Sequence, residues 1–151
     1  MISRKQIGVF FAFVVAWLLV PGASAQSLPT VAVYLSDSPT GGASTNYPVY
    51  EGAPGYDTTY LVFHYYPPGF AYDVPVQYSL GGTATSADYT PSLSGSVTIP
   101  VGTDYVAIPV RALLDSTVES IQTLNVTLTA RPAYYYLYPG YTNCTVSIYD
   151  D

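Results

Sequence analysis

Six carboxylates, Glu51, Asp88, Asp115, Glu119, Asp150 and Asp151, stand just beyond the ends of apolar, alternating runs. They belong to a set of ten acids in a 151-residue chain that has four basic residues and a formal net charge of −6. Carboxylates gathered in loops can ligate a cation, act as paired general acid and base, or simply lie in solvent. Their donor type suits a hard ion: Ca2+ takes about 6–8 oxygens from carboxylates, backbone carbonyls and water. A transition metal is a poorer match, because His64 and Cys144 are each single and placed away from the acids. A Ser-His-Asp mechanism would need His64 beside a nucleophile and an orienting acid, whereas it sits mid-strand among aromatics. No G-x-S-x-G, H-E-x-x-H or Gly-rich phosphate loop is present. The acids reserved for metal are also those that glycoside chemistry would require. The chain therefore reads as non-catalytic.

The elements that must position these acids are strands. No segment from Leu28 onward keeps a helical period, and proline, glycine and β-branched residues are spread throughout. Seven main runs read as strands: 30–35, 58–66, 74–80, 95–99, 105–113, 122–129 and 141–149. A short edge strand at 47–50 is blunted by Pro48. Inward residues follow from alternation: Leu61, Phe63 and Tyr65; Val74, Val76, Tyr78 and Leu80; Val97 and Ile99; Val106, Ile108 and Val110; Leu124, Val126 and Leu128; Cys144, Val146 and Ile148. This is the pattern of an all-β, immunoglobulin-like antiparallel sandwich. If successive strands reverse, the loops at 51, 81–90 and 114–121 and the chain end at 150–151 share one end, and all six acids converge there. No lysine or histidine lies in these loops, so a hard cation is the natural counter-charge.

The stretch Tyr78–Pro100, YSLGGTATSADYTPSLSGSVTIP, carries a further signal. A Gly-Gly turn leaves one strand, a small-residue loop closes on Asp88-Tyr89, and the next strand stops at Pro100. The pattern G-T-A-x-x-x-D-Y followed by L-x-G-x-V-x-I-P closely resembles the central signature of Calx-beta domains. These are calcium-binding sandwich modules of sodium/calcium exchangers, some integrins and many bacterial surface proteins. The resemblance covers roughly 28–151 and implies the same six ligands. Glu51 matches the early Glu-Gly pair, Asp88 the aspartate before tyrosine, and Asp115 the second position of an Asp-Asp pair. Glu119 matches the glutamate shortly after, and Asp150 and Asp151 the terminal aspartates. Leu114 and Gln122 stand where the family commonly has further acids. The resemblance thus implies one or two Ca2+ ions held weakly, at about 10⁻⁴–10⁻³ M, and roles in adhesion, cell communication or surface assembly.

The opposite end is rich in aromatic residues: Tyr65, Tyr66, Phe70 and Tyr72 in one stretch, and Tyr134, Tyr135, Tyr136, Tyr138 and Tyr141 in another. Tyrosine pairs an apolar face with a polar tip and suits contact surfaces. These residues are expected either to cap the core or to meet a partner. The partner would be a protein, a second copy assembling into a filament or coat, or a carbohydrate.

Residues 1–25 are expected to be a signal peptide. Arg4 and Lys5 precede the apolar run Ile7–Val20, Pro21-Gly22 break it, and Ala23-Ser24-Ala25 suits cleavage. The run is short for a membrane span. The remainder, 26–151, would be one secreted or surface-held domain with two arginines against ten acids, a net charge of −8. Such a charge argues against nucleic acid and against acidic membrane surfaces. Cys144 has no second cysteine to pair with inside the chain; it suits either the core or a bond to another molecule. Asn125 and Asn143 head glycosylation sequons, relevant only in a host that glycosylates.

Overall fold

The computed structural model describes residues 27–150; residues 1–26, with the expected signal peptide, and Asp151, one of the expected ligands, lie outside the described residues. Ten strands form two five-stranded sheets. The strands are β1 (Thr30–Ser36), β2 (Asn46–Tyr50), β3 (Thr58–Tyr66), β4 (Val74–Gly82), β5 (Tyr89–Thr90), β6 (Ser96–Ile99), β7 (Tyr105–Ala112), β8 (Gln122–Leu128), β9 (Tyr136–Leu137) and β10 (Asn143–Tyr149). The first sheet has the order β5-β7-β3-β1-β9 and the second β2-β10-β8-β4-β6. No helix among the described residues is long and apolar enough to cross a membrane.

The two sheets face each other because their strands alternate. Val31, Val33 and Leu35, Leu61, Phe63 and Tyr65, Val74, Val76 and Tyr78, Leu124, Val126 and Leu128, and Cys144, Val146 and Ile148 form one continuous core. Phe63 of β3 meets Tyr78 of β4 across it, with ring centroids 5.0 Å apart. Each fully buried side chain of this size contributes roughly 1.5–3 kcal/mol. Burial also pushes the Cys144 thiol up to about 12, so this cysteine is a core residue and is not presented to another molecule.

Two expectations are corrected. The sandwich is not wholly antiparallel: β2 runs parallel to β10, and β9 parallel to β1. The reason lies in 37–45. This loop turns back beside β1 through paired Leu35 and Ser44 main-chain bonds of 2.7 and 2.9 Å, then crosses to the other sheet, so β2 starts low and runs the same way as β1. Two-residue strands at β5 and β9 were not visible as alternation. Leu80 is 39% exposed although it lies opposite Val126, since β6 covers β4 only from Val74 to Gln77. At the aromatic end, Tyr65 faces inward as its alternation predicts, and Phe70 and Tyr135 take the core-capping alternative rather than the partner-contact one; the three are 0%, 4% and 1% exposed. The Tyr135 hydroxyl donates to the Thr129 carbonyl at 2.6 Å and accepts from the Gln77 N–H at 3.2 Å, which ties the loop after β8 to β4.

Phe63→Ala should cost about 3–5 kcal/mol in chemical denaturation. Leu80→Ala, at the open upper edge of β4, should cost less than about 1 kcal/mol. Equal losses would mean that the edge of β4 is covered in solution.

Candidate metal centre

Strand direction delivers the acids to one end. Tyr50 pairs with Tyr149, Gly82 with Leu124, Ile148 with Gln122, Tyr89 with Ala112, and Thr58 with Arg111. The loops carrying Glu51, Asp88, Asp115, Glu119 and Asp150 therefore leave the sandwich together. Asp73 and Asp104 are at the other end, where they cap loops by accepting from the Val101 and Gly69 N–H groups at 2.8 and 3.3 Å.

Local geometry fixes each acid. Gly82, at φ 100°, lets the chain pass so close to β8 that a Cβ there would lie 2.1 Å from the Thr123 carbonyl oxygen. Beyond it, the Ala84 N–H donates to that carbonyl at 2.9 Å. The loop then folds over Asp88, whose carboxylate accepts from the Thr85 N–H at 2.5 Å and whose carbonyl accepts from the Leu113 N–H at 2.9 Å. Asp88 is thus 6% exposed and pins the strand that leads to Asp115. Asp115 turns its own loop by accepting from the Thr117 N–H at 2.6 Å. The Glu119 N–H donates to Asp150 at 2.7 Å, which ties the loop before β8 to the end of β10. Gln122, where the resemblance expects an acid, instead donates its side-chain amide to the Glu119 carboxylate.

Glu51 is the electrostatic centre. It is 5% exposed, and its N–H donates to the Tyr149 carbonyl at 2.9 Å. Burial raises its carboxyl above the usual glutamate range, and the charges of Asp115, Asp150 and Glu119 raise it further. A hydrogen bond from the Asp115 main chain offsets this in part. Basic side chains are scarce among the described residues. The described residues hold two, Arg111 and Arg131. Arg111 is claimed by Asp57 at 2.6 Å, and Arg131 lies over the Tyr134 ring at the far end, 4.3 Å from its centroid.

Asp57 is the acid at this end that sequence reasoning missed. Its pairing with Arg111 holds its carboxyl below the usual range, with a second hydrogen bond from the Thr58 hydroxyl at 3.0 Å. The signal was available: Thr58 and Arg111 fall opposite each other once β3 and β7 are paired.

All the candidate donors are hard oxygens and carry negative charge, so donor type and charge fit Ca2+. The arrangement itself is open. Among the described residues, no three His, Cys, Asp or Glu side chains are close enough to hold one ion.

Solved structures with the same architecture are Calx domains by title. The apo-form Calx CBD1 domain matches with a TM-score of 0.57 and 18% identity, covering 81% of this chain and 98% of that one. The Calx CBD2 domain matches at 0.54 and 14%, covering 79% and 85%. The calcium binding domain CBD12 of CALX1.1 matches at 0.53 and 19%, covering 71% of this chain and 42% of that one. The fold is therefore the Calx-beta sandwich that the central signature resembles. No family model matches the chain, and no curated protein matches it in sequence.

The pH dependence in chelator has a fixed sign at two acids. Glu51, with its folded carboxyl raised, contributes stability that is full below the ordinary glutamate range and lost as pH rises through the raised value. Glu51→Gln should therefore equal or exceed the parent in stability at pH 7, and the gap should close on acidification. Asp57, with its carboxyl lowered, works oppositely: its contribution is present above the ordinary aspartate range and lost as pH falls through the lowered value. Asp57→Asn should destabilise at pH 7 and lose that effect in acid. Urea midpoints at both pH values check the two signs.

Proposed function

We propose that this chain is a secreted or cell-surface Calx-beta-type module that binds Ca2+ at its acidic end and serves adhesion, cell communication or surface assembly without catalysis. One observation carries the reading. Glu51 is buried where the charges of Asp115, Asp150 and Glu119 act on it, and of the two described arginines Arg111 is paired with Asp57. A divalent cation would convert that repulsion into attraction. Glu51, Asp115, Glu119 and Asp150 are its first ligands, with Asp88 and Asp151 as the remaining candidates. Binding would draw the loops after β2, β7 and β10 together and stiffen the end that meets a partner. One of the similar structures is a calcium binding domain by its title, which supports the choice of ion. The leader-like residues 1–25 support export.

A second reading, self-association into a filament or coat, is favoured by the exposure of Tyr72, Tyr134 and Tyr136 at the lower end. Sedimentation that rises with protein concentration and is lost in Tyr134→Ser/Tyr136→Ser would carry it.

Thermal unfolding of the purified chain tests the metal. A ligand bound only by the native state adds RT ln(1 + [L]/Kd), about 2.7 kcal/mol at a hundredfold excess. Calcium well above millimolar should raise the midpoint, and magnesium at the same ionic strength should not. Glu51→Gln, Asp115→Asn and Asp150→Asn should each remove the rise. An unchanged midpoint in the parent would sink the proposal.

A further inference from the structure

A second recognition site lies on the outer face of the first sheet, away from the acidic end. A cavity of about 120 Å³ is lined by Ala32, Tyr34, Ala43, Tyr66, Tyr138 and Tyr141. Its frame is main chain. On one side of β1, the Tyr138 N–H donates to the Val31 carbonyl and the Val33 N–H to the Tyr141 carbonyl, both at 2.8 Å. On the other side, β3 places Tyr66 opposite Thr30. Tyr138 and Tyr141 are the two ends of a turn with Pro139 and Gly140 at its centre. The Tyr141 N–H donates to the Tyr138 carbonyl at 3.1 Å, and Gly140 has a φ of 85°, the positive value that a type II turn needs. Alanine makes the floor: Ala32 is buried yet lies outside the core cluster.

The rings turn around this floor. Tyr34 and Tyr141 are inclined at 76°, Tyr141 and Tyr138 at 57°, and Tyr138 and Tyr66 at 47°, with centroids 6.2, 6.0 and 5.2 Å apart. Rings set at such angles around one cavity form a curved wall rather than a stack. His64 backs this wall, 4.2 Å from Tyr66 and stacked on it, and Asp104 acts electrostatically on His64. Neither of the two described arginines lines the cavity, so an anion has no partner there. No carboxylate or amide side chain lines it either, so the hydroxyls of a sugar would find only tyrosine tips. A chain of net charge −6 that presents aromatic walls without a cation of its own complements a cation. The protein already makes such a pairing internally, where Arg131 lies over Tyr134.

We infer that Tyr34, Tyr66, Tyr138 and Tyr141 form an aromatic cage for an alkylated ammonium group of the size of tetramethylammonium. Such a cation is attracted by the negative faces of the rings and sheds little hydration on entry. The inference is independent of calcium. Burial and the neighbouring phenols raise the Tyr34 and Tyr66 hydroxyls above the ordinary tyrosine value, and a cation seated between them should lower both.

The test titrates the purified chain in chelator with tetramethylammonium chloride, reading ring-proton shifts of the four tyrosines by NMR and tyrosinate absorbance against pH. Choline and its neutral isostere 3,3-dimethylbutan-1-ol form the decisive pair. The expected result is saturable binding of both cations, none of the isostere, and a lowered tyrosine titration in the complex. Tyr66→Leu and Tyr138→Leu should each weaken binding about tenfold, and Tyr66→Phe, which keeps the face and the fold, should retain most of it. Phosphatidylcholine vesicles and a trimethyllysine peptide separate a lipid headgroup from a protein tail as the source; binding of the bare cations alone would leave a free small ammonium compound as the ligand. Equal binding of the neutral isostere, displacement of tetramethylammonium by a proline-rich peptide or an oligosaccharide at lower concentration, or binding undiminished in both leucine variants would overturn the inference.

Discussion

The contact between the inner faces of the two sheets is what the rest of the molecule depends on. Phe63, Leu61 and Val33 of one sheet meet Tyr78, Leu124, Val126 and Ile148 of the other in a core that admits each strand in only one facing. Once facing is fixed, direction follows from the hydrogen-bond registers, and direction decides which loops leave at which end. Nothing in the acidic loops themselves brings Glu51 near Asp150, which lies 99 positions further along the chain. They meet because Tyr50 and Tyr149 are partners in a parallel ladder, and their rings stack 5.1 Å apart just beneath the acids. An apolar packing preference is thereby converted into an electrostatic site.

That site contains one solved and one unsolved charge problem. Asp57 and Arg111 form the solved one: two main-chain partners, β3 and β7, hold a carboxylate against a guanidinium at 2.6 Å. With the guanidinium largely in solvent, this pair organises the loop more than it stabilises the fold. Glu51 is the unsolved one. Its neighbours are acids, and its burial denies it the water that would screen them. A domain selected only for stability would place glutamine or a leucine there. Retaining an ionisable carboxyl at a position that raises its pKa is costly to the fold, a cost that the cation proposed above would offset.

Much of this was legible in the sequence because strands advertise themselves by alternation, and parity then fixes their ends without any structure. The glycine at 82 and the proline at 100 punctuate the chain where they were expected to, since their constraints are local. What was not legible depends on crossing between sheets. The parallel course of β2 arises from a loop that doubles back along β1, and no residue type marks that. Alternation marked Tyr65 as inward, but Phe70 and Tyr135, in loops, were indistinguishable by type from their exposed neighbours. Tyr135 is buried because its hydroxyl finds the Thr129 carbonyl, and Tyr65 and Phe70 because they meet edge to face under the loop at 5.3 Å. Asp57 escaped notice because its partner is 54 positions away and joins it only through the β3–β7 register.

Both ends of the argument turn on the same deficit of positive charge, yet they would not compete for one ligand. Carboxylates and backbone carbonyls replace the oxygens of a hydrated Ca2+ with oxygens of similar hardness, so the dehydration cost is met. A tyrosine face offers a diffuse quadrupole that cannot match the hydration lost by so small and highly charged an ion. It does match an alkylated ammonium, whose charge is spread over methyl groups and whose water shell is loose. Conversely, an alkylated ammonium gains little from carboxylates, whose oxygens its methyl groups keep at a distance. The sandwich separates the two chemistries spatially as well. The acids leave from the top of β2, β7 and β10, whereas the cage is built on the outer face of β1 and β3, below the loop that carries Ala43. A single net charge can thus draw both kinds of cation toward the protein, while the choice between them is made locally by oxygen or by ring.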